Sequence, residues 1–145
     1  MNHIAEIETN LFLGSSFSVH PEIVKQLNIT YIFHLGFEIN INGYTCKHEY
    51  FDLEDNLQSV DKMLKISDYI TKKIKTLIDT ETILVCCVAG KSRSASMIAL
   101  YLHYKYPHLS YEEIIGQINK FRSISINKAF SNAIKTKIDN CNLKK

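Results

Sequence analysis

"ILVCCVAGKSRSAS", residues 83–96, is the stretch on which the fold turns. It opens on an uninterrupted apolar run, the pattern of a strand buried on both faces of a sheet. From Arg93 to Tyr106 it reads as a helix, with Ala95, Ser96 and Ala99 small enough to pack close beneath that strand. Between the two stand Cys87, a short turn containing Gly90, and Arg93. A strand that turns sharply into a helix aims successive backbone amides at one point, and the positive end of the helix dipole adds to them. Gly90 permits the backbone angles such a turn demands. Arg93 can fork onto two oxygens of a phosphate or similar oxyanion. The same field favours Cys87 as a thiolate, so the segment predicts a nucleophile facing a bound anion. An inert buried thiol would explain Cys87 alone, but it leaves the Gly, Arg and Ser that follow without a purpose.

Outward from this stretch, strands and helices alternate. "NLFLG" is a short strand closed by Gly14, and "HPEIVKQLN" a helix with Pro21 near its first turn. "YIFHL" and "YTCKHEYFDL" are rich in aromatic and β-branched residues and read as strands. From Val60 to Ile78, Met63, Ile66, Ile70, Ile74 and Leu77 recur at steps of three and four, marking one face of an amphipathic helix. Ser110 and Glu113 form a capping-box pattern that opens a further helix, and a last helix covers Lys128 to Asp139. The expected fold is α/β: a short, mostly parallel sheet of four or five strands flanked by helices, in one domain spanning residues 1–145. Ligands in such sheets bind beyond the C-terminal ends of the strands, where the opening stretch has its cysteine.

Composition narrows the function classes. A formal net charge of +2 lacks the basic excess of a general nucleic-acid binder, so no nucleic-acid partner is expected. Lys72, Lys73 and Lys75 read as a solvated helix face. No apolar segment is long enough to span a bilayer, and "MNHIAEIETNLFLG" lacks a basic start followed by an apolar block. The expected setting is therefore intracellular, cytoplasmic with the nucleus as an alternative. Cysteines at 46, 86, 87 and 141 do not form a spaced disulfide framework. The six histidines show no paired ligand spacing, so neither a metal nor a cofactor is expected. Only two arginines occur, Arg93 and Arg122, in a chain rich in Ile, Asn and Lys, which draws notice to both.

"CVAGKSRSA" resembles the C-x5-R phosphate loop of the cysteine-based protein tyrosine phosphatases, in the A-G-x-S-R-S form of the small dual-specificity branch. "LFLGS" and "ITYIFHLG" are similar to that family's early strands, and "SYEEIIGQINKFR" to the helix after the loop helix. The resemblance implies Cys87 as nucleophile, Arg93 as phosphate clamp, and the amides of Val88, Ala89, Gly90, Lys91, Ser92 and Arg93 as the phosphate cradle. It implies that Ser94 hydrogen-bonds the cysteine sulfur and helps a phosphocysteine intermediate break down. Amides and Arg93 would stabilise the spread-out oxyanion charge.

The leaving oxygen needs a proton, which requires an acid on a neighbouring loop. "YFDLEDN" offers Asp52 and Asp55, with Glu54 between them. Asp52 lies within the strand run, whereas Asp55 follows it and stands 32 residues before Cys87, a spacing similar to the family's. Asp55 is the expected acid and base.

Two departures stand out. The family has His immediately before the nucleophile and this chain has Cys86, a weak hydrogen-bond donor; a higher Cys87 pKa would follow. Paired sulfurs also offer oxidation a strained ring, against plain core packing for Cys86. "RSISINKAF" resembles the family's Arg, apolar stretch, Asn and Phe, but lacks the usual prolines and reads as a residue shorter, so Asn127 is not carried over as a loop support.

The expected substrates are phosphoproteins, through phosphotyrosine and phosphoserine or phosphothreonine, because no segment is present that would deepen the pocket. Lys91 makes phosphoinositides or other phospholipids the alternative substrate. A phosphoprotein-binding pseudophosphatase is the rival supported by Cys86, and a rhodanese-like sulfur carrier would have no need of Asp55. Oligomeric state is not legible.

Overall fold

The structure, a computed structural model, describes residues 3–143. Five short strands form one sheet: β1 (Ile4–Glu8), β2 (Leu11–Ser15), β3 (Tyr31–Leu35), β4 (Lys47–Phe51) and β5 (Ile83–Cys87). Their order is β1-β2-β5-β3-β4, with β1 antiparallel to β2 and every other pairing parallel. This is the expected mostly parallel α/β sheet.

Alternation along each strand sorts the apolar residues into two layers. Leu11, Leu13, Phe33, Ile83, Val85 and Cys87 face one core, which α2 (Val60–Leu77), α3 (Arg93–Lys105), α4 (Tyr111–Asn119) and α5 (Lys128–Leu143) cover. Phe12, Ile32, Leu84 and Cys86 face the other, smaller core with Val24 of α1 (Pro21–Gln26). Helix α3 is buried from Ser94 to His103, which explains its small residues: they admit the sheet on one side and neighbouring helices on the others. The periodic face of α2 is buried at Met63, Ile70 and Ile74.

Local chemistry sets the helix starts. His20 Nδ1 accepts the Glu22 amide at 3.2 Å, with Pro21 in the first helical position. At α4 the capping box forms in both directions, the Glu113 amide donating to Ser110 Oγ at 3.1 Å and the Ser110 amide to Glu113 Oε1 at 3.0 Å.

Three details differ from the sequence reading. Strand β1 was not foreseen, β4 is confined to Lys47–Phe51, and α5 runs on to Leu143. Lys72 and Lys75 are exposed as expected, but Lys73 is half-buried, 5.8 Å above the Tyr31 ring and 3.9 Å from Glu49. Among the described residues no helix is long and apolar enough to cross a membrane.

The register places Ser15, Cys87 and Leu35 side by side at the C-terminal rim of β2, β5 and β3. The segments that matter for chemistry gather there.

Candidate active site

Cys87 ends β5 and is 2% exposed, at the floor of a loop that returns as α3. Within that loop Gly90 adopts φ +68°, and a Cβ there would stand 2.6 Å from the backbone of Gly14. Only glycine fits, on both conformational and steric grounds. Among the described residues, the backbone amides of residues 88–92 donate to no other protein group, the condition of an anion cradle.

Neighbouring segments hold the carbonyl side of this loop. Ser16 donates through its amide to Val88 O at 3.1 Å and through its hydroxyl to the same oxygen at 3.2 Å. The Ser125 amide donates to Lys91 O at 3.0 Å. Arg122, 8% exposed, donates from Nε to Gly90 O and from Nη2 to Ala89 O, each at 2.9 Å. Burial lowers the Arg122 pKa, and charge on Cys87 acts against that shift. Tying down the carbonyls from outside fixes the peptide planes, and so where the amides point.

Ser94, fully buried in the first turn of α3, places Oγ 3.1 Å from Cys87 Sγ. Arg93 donates from Nη1 to Leu53 O at 3.1 Å. Its guanidinium lies against Gly36, where φ is +82° and a Cβ would come within 2.1 Å of Arg93 Nη1.

Asp55 is on the exposed loop between β4 and α2, and one carboxylate oxygen ties it to the phosphate loop. Ser92 Oγ and Asn127 Nδ2 both donate to Asp55 Oδ1 at 2.6 Å. The Asn127 amide donates to Ser92 Oγ at 2.9 Å, and Asn127 Oδ1 accepts the Phe130 amide at 2.8 Å. Asp52 points elsewhere: its carboxylate is 77% exposed and 3.5 Å from Lys62 Nζ. The structure thus brings Cys87, Ser94, Arg93, Asp55 and the loop 88–92 to one rim, and separates Asp52 from them. Sequence reasoning set Asn127 aside and gave Arg122 no role. Arg122 had a signal, as one of the two arginines in the chain, whereas Asn127 works through contacts 35 and 72 residues away.

Cys86 faces the opposite side of the sheet from Cys87 and is fully buried, so the two sulfurs lie in different cores. Both are free thiols. Burial, and then the neighbouring Cys87, push the Cys86 thiol well above its ordinary pKa. Its S–H is 3.5 Å from Phe33 O and its sulfur 3.7 Å from His34 Nδ1. His34 Nε2 is 2.8 Å from His48 Nδ1, and His48 Nε2 is 3.4 Å from Cys46 Sγ. If Cys86 donates to Phe33 O, one consistent proton order is Cys46 to His48 to His34 to Cys86. An imidazole, that of His34, thus stands beside Cys86 from the neighbouring strand β3. Among the described residues no cluster suited to a metal ion occurs.

A mostly parallel sheet that delivers Cys87 at its C-terminal rim into a tight loop followed by α3 defines an α/β protein whose candidate site lies at the strand ends. Comparison with known proteins agrees. The family model for the dual specificity phosphatase catalytic domain matches residues 11–139, and the chain belongs to that family. Among solved structures, the chain is similar to the Yvh1 phosphatase domain from Chaetomium thermophilum, at 22% identity and TM-score 0.79 over 94% of this chain and 96% of that one. It is similar also to human DUSP28, at 16% identity and TM-score 0.82 over 98% and 97%. A third is the human tyrosine phosphatase-like serine/threonine/tyrosine-interacting protein, at 20% identity and TM-score 0.76 over 97% of each chain. At these identities the structural likeness speaks for the fold.

Proposed function

We propose that the chain is a protein phosphatase that hydrolyses phosphotyrosine and phosphoserine or phosphothreonine through a phosphocysteine intermediate. The observation that carries this reading is the convergence on one loop of the Cys87–Ser94 pair, at 3.1 Å, and of Asp55, held to Ser92 at 2.6 Å.

In the first step the Cys87 thiolate attacks phosphorus, the P–O ester bond breaks, and Asp55 in its acid form protonates the leaving oxygen. The amides of residues 88–93 and the Arg93 guanidinium take up the charge on the transferring oxygens. In the second, water attacks phosphorus while the Asp55 carboxylate accepts its proton, and the S–P bond breaks. Ser94 donates to the sulfur as it departs as thiolate. Inorganic phosphate is released and the starting charges are restored.

Cys86 favours one other reading, phosphate recognition without turnover, and Lys91 favours phosphoinositides as substrate. Hydrolysis of an aryl phosphate by the unaltered chain, Cys87→Ser and Asp55→Ala tests the proposal. Turnover abolished by the first change and strongly reduced by the second supports it. Phosphopeptide binding by the unaltered chain, with no turnover at any pH, overturns it.

A further inference from the structure

Beside the loop that follows Cys87, with Val88, Ala89 and Lys91 in its lining, lies an open recess of about 430 Å³. Its walls are Phe17, Val88 and Phe121, exposed to 73%, 47% and 52%. Three of the eight large apolar side chains left exposed among the described residues thus surround one recess. Apolar surface concentrated in this way marks a contact site rather than random exposure. The Phe17 ring is further fixed by the His3 ring, centroids 5.2 Å apart. Lys91 and Arg122 supply the charge, and among the described residues no carboxylate lines the recess. Ser15 also lines it, and its buried hydroxyl has no hydrogen-bond partner. A buried hydroxyl left unpaired is costly and rare.

We infer that this recess is a specificity subsite for a large apolar or aromatic residue flanking the phosphoresidue of a peptide substrate, an inference that rests on the phosphatase reading above. Val88 and Lys91 belong to the loop that would hold the phosphate, so the recess lies a short stretch of extended peptide from it, at roughly 3.5 Å per residue. Phe17, Val88 and Phe121 take the side chain. Acidic walls would repel the negative charge of a phosphopeptide, and there are none. A recess lined by three apolar side chains suits one side chain of a peptide better than the plane of a bilayer.

The test uses phosphotyrosine peptides carrying Phe, Leu or Ala at each position from three before to three after the phosphoresidue, with p-nitrophenyl phosphate as the small control. The expected result is a preference of at least about tenfold in kcat/KM for Phe or Leu over Ala at one flanking position. In the double variant Phe17→Ala with Phe121→Ala that preference falls to about twofold or less, while turnover of p-nitrophenyl phosphate is unchanged. Equal turnover of all peptides, or a preference that survives in the double variant, overturns the inference. So does a result in which the double variant loses activity only on vesicles containing a phosphoinositide, because the occupant is then a lipid. If the unaltered chain turns over no aryl phosphate, the enzymatic reading fails separately. The same peptides titrated calorimetrically against Cys87→Ser then still decide the subsite, by the same preference in affinity and its loss in the double variant.

Discussion

Asn127 donates to the carboxylate of Asp55 at 2.6 Å, across 72 residues of sequence, and the oxygen it meets is the one that Ser92 also meets. A flexible exposed loop would otherwise leave Asp55 to sample many positions, each at the expense of those useful for proton transfer. Asn127, with Ser92, makes the position of the proposed acid a property of the loop that follows Cys87.

Asn127→Ala is therefore expected to lower kcat for an aryl phosphate by about tenfold with little change in KM. The check is a double-mutant cycle with Asp55→Ala. In the Asp55→Ala background the second substitution should cost almost nothing, since there is no longer an acid to position. Independent, multiplying losses would show that Asn127 acts on the phosphate loop instead, through the hydroxyl of Ser92.

Gly36 bears on Arg93 in the same indirect way. Its φ of +82° disfavours any side chain, and an added Cβ would overlap Arg93 Nη1 and stand 2.7 Å from Leu53 O, the carbonyl to which that nitrogen donates. Gly36→Ala is expected to displace the guanidinium and destabilise the fold by about 1–3 kcal/mol. Phosphate or tungstate should then protect the variant less against thermal unfolding than it protects the unaltered chain, as ligand linkage requires. Equal protection in both would show that Arg93 keeps its place.

Arg122 is read best through its geometry. Nε and Nη2 reach two successive loop carbonyls at 2.9 Å each, a fork that a lysine cannot reproduce. Arg122→Lys is expected to destabilise by about 1–3 kcal/mol and to weaken phosphate binding, because the buried Gly90 carbonyl would lose its donor and the Ala89 carbonyl its second tether. Thermal melts with and without phosphate check both effects. A variant that melts early but binds phosphate as tightly would limit Arg122 to stability.

The central strand, the loop and α3 were legible because each depends on neighbours in sequence. An apolar run, a glycine at a tight turn and small residues in a buried helix fall within a single stretch, and the α4 capping box is likewise local. Strand β1 escaped notice because Glu6 and Glu8 interrupt "IAEIE", and its hairpin with β2 turns at Asn10, with φ +68°, rather than at a glycine. Asp55 was singled out on spacing, but what holds it was not. Ser92 and Asn127 reach it only through the packing of α3 and α5, and the absence of prolines near Asn127 argued the wrong way. The chain of His34 and His48 behind Cys86 was equally hidden, since it depends on β3 lying between β4 and β5.

That chain makes stability depend on acidity in a definable window. His34 is 3% exposed, and burial, followed by repulsion from His48, lowers its pKa from 6.5 to about 4. Burial lowers the His48 pKa as well. The groups that share hydrogen bonds with His34 are His48 and the thiol of Cys86, neither of which offers a negative charge to stabilise an imidazolium, while Glu38 lines the recess beside it. Above pH 6.5 both folded and unfolded chains hold His34 neutral, so it adds no pH dependence there. Between pH 6.5 and about 4 the unfolded chain takes up a proton that the folded chain excludes. Stability present in full above pH 6.5 is therefore lost as the pH falls, by roughly 3 kcal/mol at most, and levels off once the folded form also protonates. His34→Leu should flatten the decline in urea-unfolding stability between pH 6.5 and 5, leaving the smaller slope due to His48. At pH 7.5 the same variant should lose about 1 kcal/mol from the severed hydrogen bonds. An unchanged slope would mean that water or backbone movement admits the charge, and that His34 is less confined than its burial beside His48, Phe37 and Cys86 implies.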